Sequence, residues 1–141
     1  MIEDRFSCCL YFTASKLARA ISRLAEEEFA ATGLSPTYAY LLMAVREEPG
    51  IAQQDLAARL HLTPSTVTRL IDKLEVKGLA VRRTTGKNSL VFLTAKGEDV
   101  QEEIRQAWGR LYERYSAALG REEGDRLTER IATAADKLNE K

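Results

Sequence analysis

Ser65, Thr66, Thr68, Arg69 and Lys73 crowd into one short stretch and bring hydroxyls, a guanidinium and an ammonium. That set suits hydrogen bonding and charge pairing, not covalent chemistry. Arg can fork onto guanine, and Ser and Thr bond either bases or phosphates. Small side chains also let a backbone approach a duplex closely. Such a role needs one rigid element that turns the set outward. Thr63-Pro64 opens a helix, with Thr as N-cap and Pro at the first helical position, where its missing N–H costs nothing. Gly78 ends it as a residue able to adopt the left-handed conformation. Val67, Leu70, Ile71 and Leu74 form its buried stripe. At about 100° per residue, Ser65, Arg69 and Asp72 lie farthest from that stripe. Thr66 and Lys73 flank them on one side and Thr68 on the other. An ordinary solvated helix face has the same composition, so the neighbouring elements must decide.

Gln53 to Leu60 reads as a short preceding helix with Leu56, Ala57 and Leu60 on one face. The connection His61-Leu62-Thr63 has the length of a helix-turn-helix turn. Gln53 and Gln54, near that helix's N-terminus, are candidate phosphate contacts or plain solvated amides. After Gly78, Leu79 to Arg83 and Leu90 to Leu93 are β-prone runs around a polar tip, Thr84 to Ser89, which predicts a hairpin. Helix-turn-helix followed by hairpin is a winged helix-turn-helix. Arg82 and Arg83 face opposite ways on a strand, so one turns toward DNA or the helix and the other away. Lys87 and Asn88 sit at the tip, and with Arg82 and Arg83 they are the wing's candidate DNA contacts.

The run DLAARLHLTPSTVTRLIDKLEVKGLAVR, then a wing, then LTAKG, resembles the MarR family of bacterial transcription regulators. Asp55, Leu56, Ala57, Leu60, Thr66, Val67, Thr68, Leu70, Ile71, Leu74, Gly78, Leu79, Arg82, Leu93, Thr94 and Gly97 stand where that family has similar residues. The resemblance implies a homodimeric, sequence-specific DNA-binding regulator, expected to be a repressor. It also marks a departure. Many members carry an Asp-Arg-Arg-type stretch late in a longer wing, whose Arg enters the minor groove. This wing is short and has Gly86-Lys87-Asn88-Ser89 there. Lys87 offers only a point charge in place of a planar fork.

The 141-residue chain is about one domain long and has zero formal net charge. Its charge is unevenly placed. From His61 to Ser89, six Lys/Arg face two acids, which makes that span +4 and the remainder −4. A basic reading head on an acidic body suits electrostatic DNA binding. A winged helix used only as a protein-interaction module is the alternative, and the local charge argues against it. No nucleophile–base pair, paired-carboxylate motif, phosphate-cradling Gly loop or metal-ligand cluster appears, so neither an enzyme, a cofactor nor a metal is expected. The only histidine is His61 and the only cysteines are the adjacent Cys8 and Cys9. No apolar run approaches the ~20 residues that span a bilayer, and the start MIEDRFSCCL does not read as a signal peptide. A cytoplasmic protein without membrane partners is expected.

Long amphipathic helices are predicted on both sides of the lobe. Phe6 to about Phe29 carries Leu10, Ala14, Leu17, Ile21 and Leu24 as a heptad-like seam. Ser35-Pro36 starts the first helix of the lobe, which Glu48-Pro49-Gly50 stops, and Ile51 adds a very short strand. Thr94 caps a fifth helix, about Ala95 to Leu119, with Val100, Ile104, Ala107, Trp108, Leu111 and Tyr115 on its apolar side. A last helix runs from Glu122 to about Asn139. The predicted fold is therefore mainly α with a small β-hairpin wing. Residues 35–94 form the winged helix-turn-helix lobe, and residues 1–34 and 95–141 the dimerisation helices. A two-fold dimer through them would place two recognition helices about one DNA turn apart, on an inverted repeat. A monomeric bundle that folds its own termini together is the competing arrangement.

The resemblance also implies effectors. Other members bind small aromatic acids or phenolic compounds, for which Tyr11, Phe12, Tyr38, Tyr40 and Arg46 are candidates here, although aromatic stripes more often build core. The hydroperoxide-sensing branch has a reactive Cys near the start of the first helix, seven residues before a Ser. Cys8 and Ser15 match that spacing, with Cys9 adjacent. That branch has tyrosines near the sulfur, where this chain has Phe12 and Ser22. The competing role for the thiols is packing in the dimer seam.

Overall fold

A computed structural model describes residues Arg5–Glu140. A 3-10 turn, Arg5–Cys8, precedes α1 (Leu10–Phe29), and a second turn, Ala30–Thr32, precedes α2 (Pro36–Glu47). Then come β1 (Ile51–Ala52), α3 (Gln53–Leu60), α4 (Pro64–Val76), β2 (Ala80–Thr85), β3 (Asn88–Leu93), α5 (Ala95–Asp99), α6 (Gln101–Leu119) and α7 (Arg121–Asn139). The expected architecture, mainly helical with a small antiparallel wing, is present. The chain divides into two compact units. One is residues 29–107; the other combines residues up to Glu28 with those from Trp108 onward. The first thus takes in more chain than the 35–94 lobe.

In the 29–107 unit the sheet order is β1-β3-β2, antiparallel throughout. Ile51 pairs with Val91, and both are buried. Against them the unit buries Leu41, Leu42 and Val45 of α2, Leu56 of α3, and Val67, Ile71 and Leu74 of α4. Each fully buried side chain of this size contributes about 1.5–3 kcal/mol. Leu70, expected in the same stripe, is half-buried.

The Leu93-to-Gly97 run explains itself here. Thr94 caps α5 by accepting from the Gly97 N–H, and its hydroxyl donates to the Gly78 carbonyl at 2.6 Å. Lys96 Nζ donates to the Lys77 carbonyl at 3.0 Å. The strand exit thereby satisfies carbonyls that the end of α4 would leave bare. Gly97 permits the approach, since a Cβ there would lie 2.1 Å from the Leu79 carbonyl oxygen. Gln101 is a tether that sequence patterning did not mark. Its buried amide donates to the carbonyls of Leu42 (3.2 Å) and Gly97 (3.1 Å).

Several local expectations shift. α1 starts at Leu10, because Arg5–Cys8 winds as a 3-10 turn. Ser35 holds the N-cap position of α2, but its hydroxyl makes no capping bond; its extended backbone and Pro36 carry the start. The predicted fifth helix is interrupted at Val100, although Ile104 N–H still bonds to the Val100 carbonyl. The hairpin is longer than its β-prone runs. Thr84 pairs with Ser89 and Thr85 with Asn88, which leaves a two-residue turn with Gly86 at φ 60°. A left-handed Gly in first place is what a type II′ turn requires.

In the other unit, Arg110 and Arg114 of α6 pair with Glu28 (3.4 Å) and Glu27 (2.6 Å) of α1. Gly120, at φ 91°, turns the chain into α7. There the Tyr112 hydroxyl donates to Asp125 at 2.9 Å, and Arg121 lies over the Tyr112 ring. The apolar seam is largely uncovered within one chain: Leu10, Leu17, Trp108, Ile131 and Leu138 are exposed.

Two substitutions of opposite sign check this account. Gly97→Ala forces a side chain onto backbone and lowers the unfolding free energy in urea by at least about 2 kcal/mol. His61 is the one non-glycine residue at positive φ (56°) among the described residues, and it ends α3. His61→Gly relieves that geometry and raises stability by up to about 1 kcal/mol in the same titration.

Candidate nucleic-acid interface

The helix expected to read DNA, α4, is fixed at both ends. The Thr63 hydroxyl accepts from the Thr66 N–H at 3.3 Å and shares a hydrogen bond with the Thr66 hydroxyl at 2.8 Å. At the far end Gly78 is left-handed (φ 74°). Leu79 N–H bonds to the Leu74 carbonyl and Gly78 N–H to that of Glu75, both at 2.9 Å, the two bonds of a Schellman motif. Between these caps Val67, Ile71 and Leu74 are buried, which leaves Ser65, Arg69 and Lys73 exposed. Arg69 and Lys73 have no carboxylate within salt-bridge reach among the described residues.

Thr68 is less free than its position suggests. Its hydroxyl donates to the Pro64 carbonyl at 3.0 Å and accepts from Gln53 Nε2 at 2.7 Å. Two residues expected to touch DNA therefore brace each other across the α3–α4 turn. Gln53 and Gln54 also share a cleft of about 240 Å³ with Ala52, Pro64, Lys87, Asn88 and Ser89. Four expected site residues from two distant segments, Gln53, Gln54, Lys87 and Asn88, thus line one concavity. The pairing of β1 with β3 brings them there.

The two wing arginines diverge as the strand period requires. Arg83 sits over the Phe92 ring, 5.0 Å from its centroid. Arg82 turns back onto α4 instead of toward solvent. Its guanidinium pairs with Asp72 and, at 2.7 Å, with Glu75. Partial burial opposes its charge, but the hydrogen bonds it donates to Asp72 and Glu75 outweigh that and raise its pKa. Asp72 and Glu75 are the only acids between His61 and Ser89, and both are spent on this one cation. The other five, Arg69, Lys73, Lys77, Arg83 and Lys87, keep their charge unopposed by that segment. Sequence patterning placed Arg82 among the DNA contacts and overlooked its partners. The available signal was two acids one turn apart on a helix, followed by an Arg just past its end.

The effector candidates fall in both units. Tyr40 meets Phe29 edge-on at 5.7 Å, Arg46 lies 3.9 Å from Glu98, and Tyr38 is half-buried, all within 29–107. Tyr11 and Phe12 belong to the other unit, where the Phe12 ring lies 5.3 Å from that of Phe6. Cys8 closes the first 3-10 turn and Cys9 joins it to α1; both thiols are exposed.

Comparison with known proteins gives a consistent result. The sequence profile of the MarR family matches residues 32–88. The HTH-type transcriptional regulator SarZ of Staphylococcus saprophyticus is 31% identical over 106 residues, 72% of this chain and 69% of that protein. The HTH-type transcriptional repressor MdtR of Bacillus subtilis is 28% identical over 110 residues, 74% and 71% of the two chains. Among solved structures, the transcriptional repressor CouR bound to a 23-mer DNA duplex superposes with a TM-score of 0.86. It is 23% identical, with 96% of this chain and 98% of that one covered, so the likeness is one of fold. CouR has also been solved bound to p-coumaroyl-CoA.

The Gln53–Thr68 brace is testable without DNA. Thr68→Val keeps the shape and removes the hydroxyl, so thermal melts should show a loss of about 0.5–1.5 kcal/mol. An unchanged melting temperature would mean that solvent replaces the bond at no cost.

Proposed function

The chain belongs to the MarR family of transcription regulators, and from that premise we propose that it is a repressor that grips duplex DNA through residues 35–94. The helices of residues 1–34 and 95–141 hold two copies together. The observation that carries this reading is the outward face of α4. Ser65, Thr66, Arg69 and Lys73 project from a helix capped at both ends, and the acids nearby are already occupied. In the major groove Arg69 forks onto a base, while the hydroxyls of Ser65 and Thr66 bond base edges or phosphates. Gln54, Lys87 and Asn88, at the cleft beside the wing, take backbone phosphates. Such contacts fix register without carrying sequence information. Gln53 and Thr68 act from behind by holding α3 against α4.

The uncovered seam on the terminal helices supports the dimer. Two copies joined by a two-fold axis set their recognition helices about 34–36 Å apart, so the operator is an inverted repeat. Repression follows from occupying a promoter, and a small aromatic acid or phenol releases it. Tyr38, Tyr40 and Arg46 of the 29–107 unit are assigned to that ligand, with Arg46 for an acidic group; Tyr11 and Phe12 of the other unit are the alternative candidates. Cys8 and Cys9 supply the competing trigger, oxidation. The reading places the protein in the cytoplasm with its DNA and gives it no catalytic role. No helix among the described residues is long and apolar enough to cross a membrane.

Binding to the region upstream of its own coding sequence, followed by anisotropy across a salt series, tests the proposal. Arg69→Ala should cost about 1–3 kcal/mol and relax preference at one base pair. Lys87→Gln should weaken all sequences alike and reduce the salt slope by about 1. Sedimentation should return twice the chain mass. A single-subunit mass with no salt-dependent binding would favour the protein-interaction module instead. Repeating the assay with p-coumarate, salicylate and hydroperoxide separates ligand release from oxidation.

A further inference from the structure

We propose that Arg82 is a positioning residue that makes no contact with DNA: it straps the wing to the recognition helix and masks the two carboxylates which that helix carries. The proposal rests on the DNA-binding reading above and assigns a division of labour within it.

The strap has three parts. Arg82 Nε donates to Glu75 Oε1 at 3.1 Å, and one terminal nitrogen donates to the same oxygen at 2.7 Å, so two edges of the guanidinium converge on one carboxylate oxygen. The same nitrogen bonds to Asp72, one turn earlier on α4. The Arg82 main-chain N–H donates to Glu75 Oε2 at 3.1 Å. β2 is an edge strand, and an edge leaves alternate N–H groups unpaired. Glu75 therefore binds the side chain and the exposed edge of the same residue. A lysine would offer a point charge to these carboxylates, without the planar fork that brings two nitrogens onto Glu75 while one also holds Asp72.

Masking follows from place. Asp72 lies on the outward face of α4 with Ser65 and Arg69, and its side chain is 52% exposed. A bare carboxylate there would repel the phosphates that Arg69 and Lys73 attract. Arg82, only 24% exposed, supplies the neutralising charge from the protein side. A guanidinium held this way is not available to a phosphate unless the strap opens.

A mutant cycle separates strap from contact. The probe is a duplex enriched from a random pool by the wild-type protein. On the proposal, Arg82→Gln weakens binding at least about tenfold in the wild-type background, but by less than about threefold where D72N/E75Q has already removed its partners. The salt slope stays constant in both backgrounds. An equal loss in both, with the slope lower by about 0.9, would make Arg82 a phosphate contact and overturn the proposal. Should R82Q alone not fold, the D72N/E75Q pair of proteins decides by the same slope. Hydrogen exchange on the free protein provides a readout without DNA. R82Q should speed exchange of the β2 amides about tenfold and K87Q should leave them unchanged. No acceleration in R82Q would remove the strap. If the wild type binds no duplex, the DNA reading fails, and exchange still decides whether the strap exists.

Discussion

The contact between Gly97 and the Leu79 carbonyl is the constraint on which the reading head depends. It is backbone against backbone, so neither side can yield by changing rotamer. It fixes where α5 begins relative to the end of α4. From there Thr94 and Lys96 reach the carbonyls of Gly78 and Lys77. The recognition helix is thus closed at its C-terminal end by a segment some twenty positions later in the chain. A helix that must expose a polar face gains little from burial on that side. Its rigidity has to come from its ends and from one apolar stripe, which is how Val67, Ile71 and Leu74 are arranged.

Charge follows the same economy. A neutral chain becomes a DNA ligand only if its cations are concentrated and its acids are kept from interfering. In the wing and recognition helix the acids are sequestered by Arg82. Elsewhere several acids pair with arginines: Glu27 and Glu28 with Arg114 and Arg110, and Glu47 with Arg59. These exposed pairs add little stability individually. Around α4 and the wing, Arg69, Lys73, Lys77, Arg83 and Lys87 are left unopposed by the acids of that segment.

What could be read from sequence was what local rules determine. The face of α4, its Thr63 cap and its Gly78 stop follow from spacing and from the conformational demands of Thr, Pro and Gly. So does the short strand at Ile51. Capping at Ser35 did not follow, because a cap needs the hydroxyl to reach an N–H and not merely to stand in the right place. The hairpin's length was hidden because Thr84, Thr85, Asn88 and Ser89 look like turn residues singly, and only the cross-strand register reveals them as paired. The destination of Arg82 was hidden for a related reason. Alternation shows that Arg82 and Arg83 part company, but not which one meets Asp72 and Glu75. Gln101 gave no sign at all, since a buried amide is recognisable only by the carbonyls around it.

The short wing has a consequence for how the whole protein must work. Lys87 supplies charge at the tip without a planar fork, Arg83 is stacked on Phe92, and Arg82 is strapped to α4. One head therefore carries few base-reading groups besides those on the helix. Linking two heads compensates, because the second engages at a high effective concentration once the first is seated. In the proposed dimer the terminal helices must then hold the copies firmly. Covering side chains such as Leu10, Leu17, Trp108 and Leu138 in that dimer, at up to about 1.5–3 kcal/mol each and twice over by symmetry, would be of the size needed to offset an association cost of about 4–15 kcal/mol. On the proposed dimer a weak wing and an uncovered apolar seam are thus two ends of one design: specificity that a single head lacks is recovered by pairing heads.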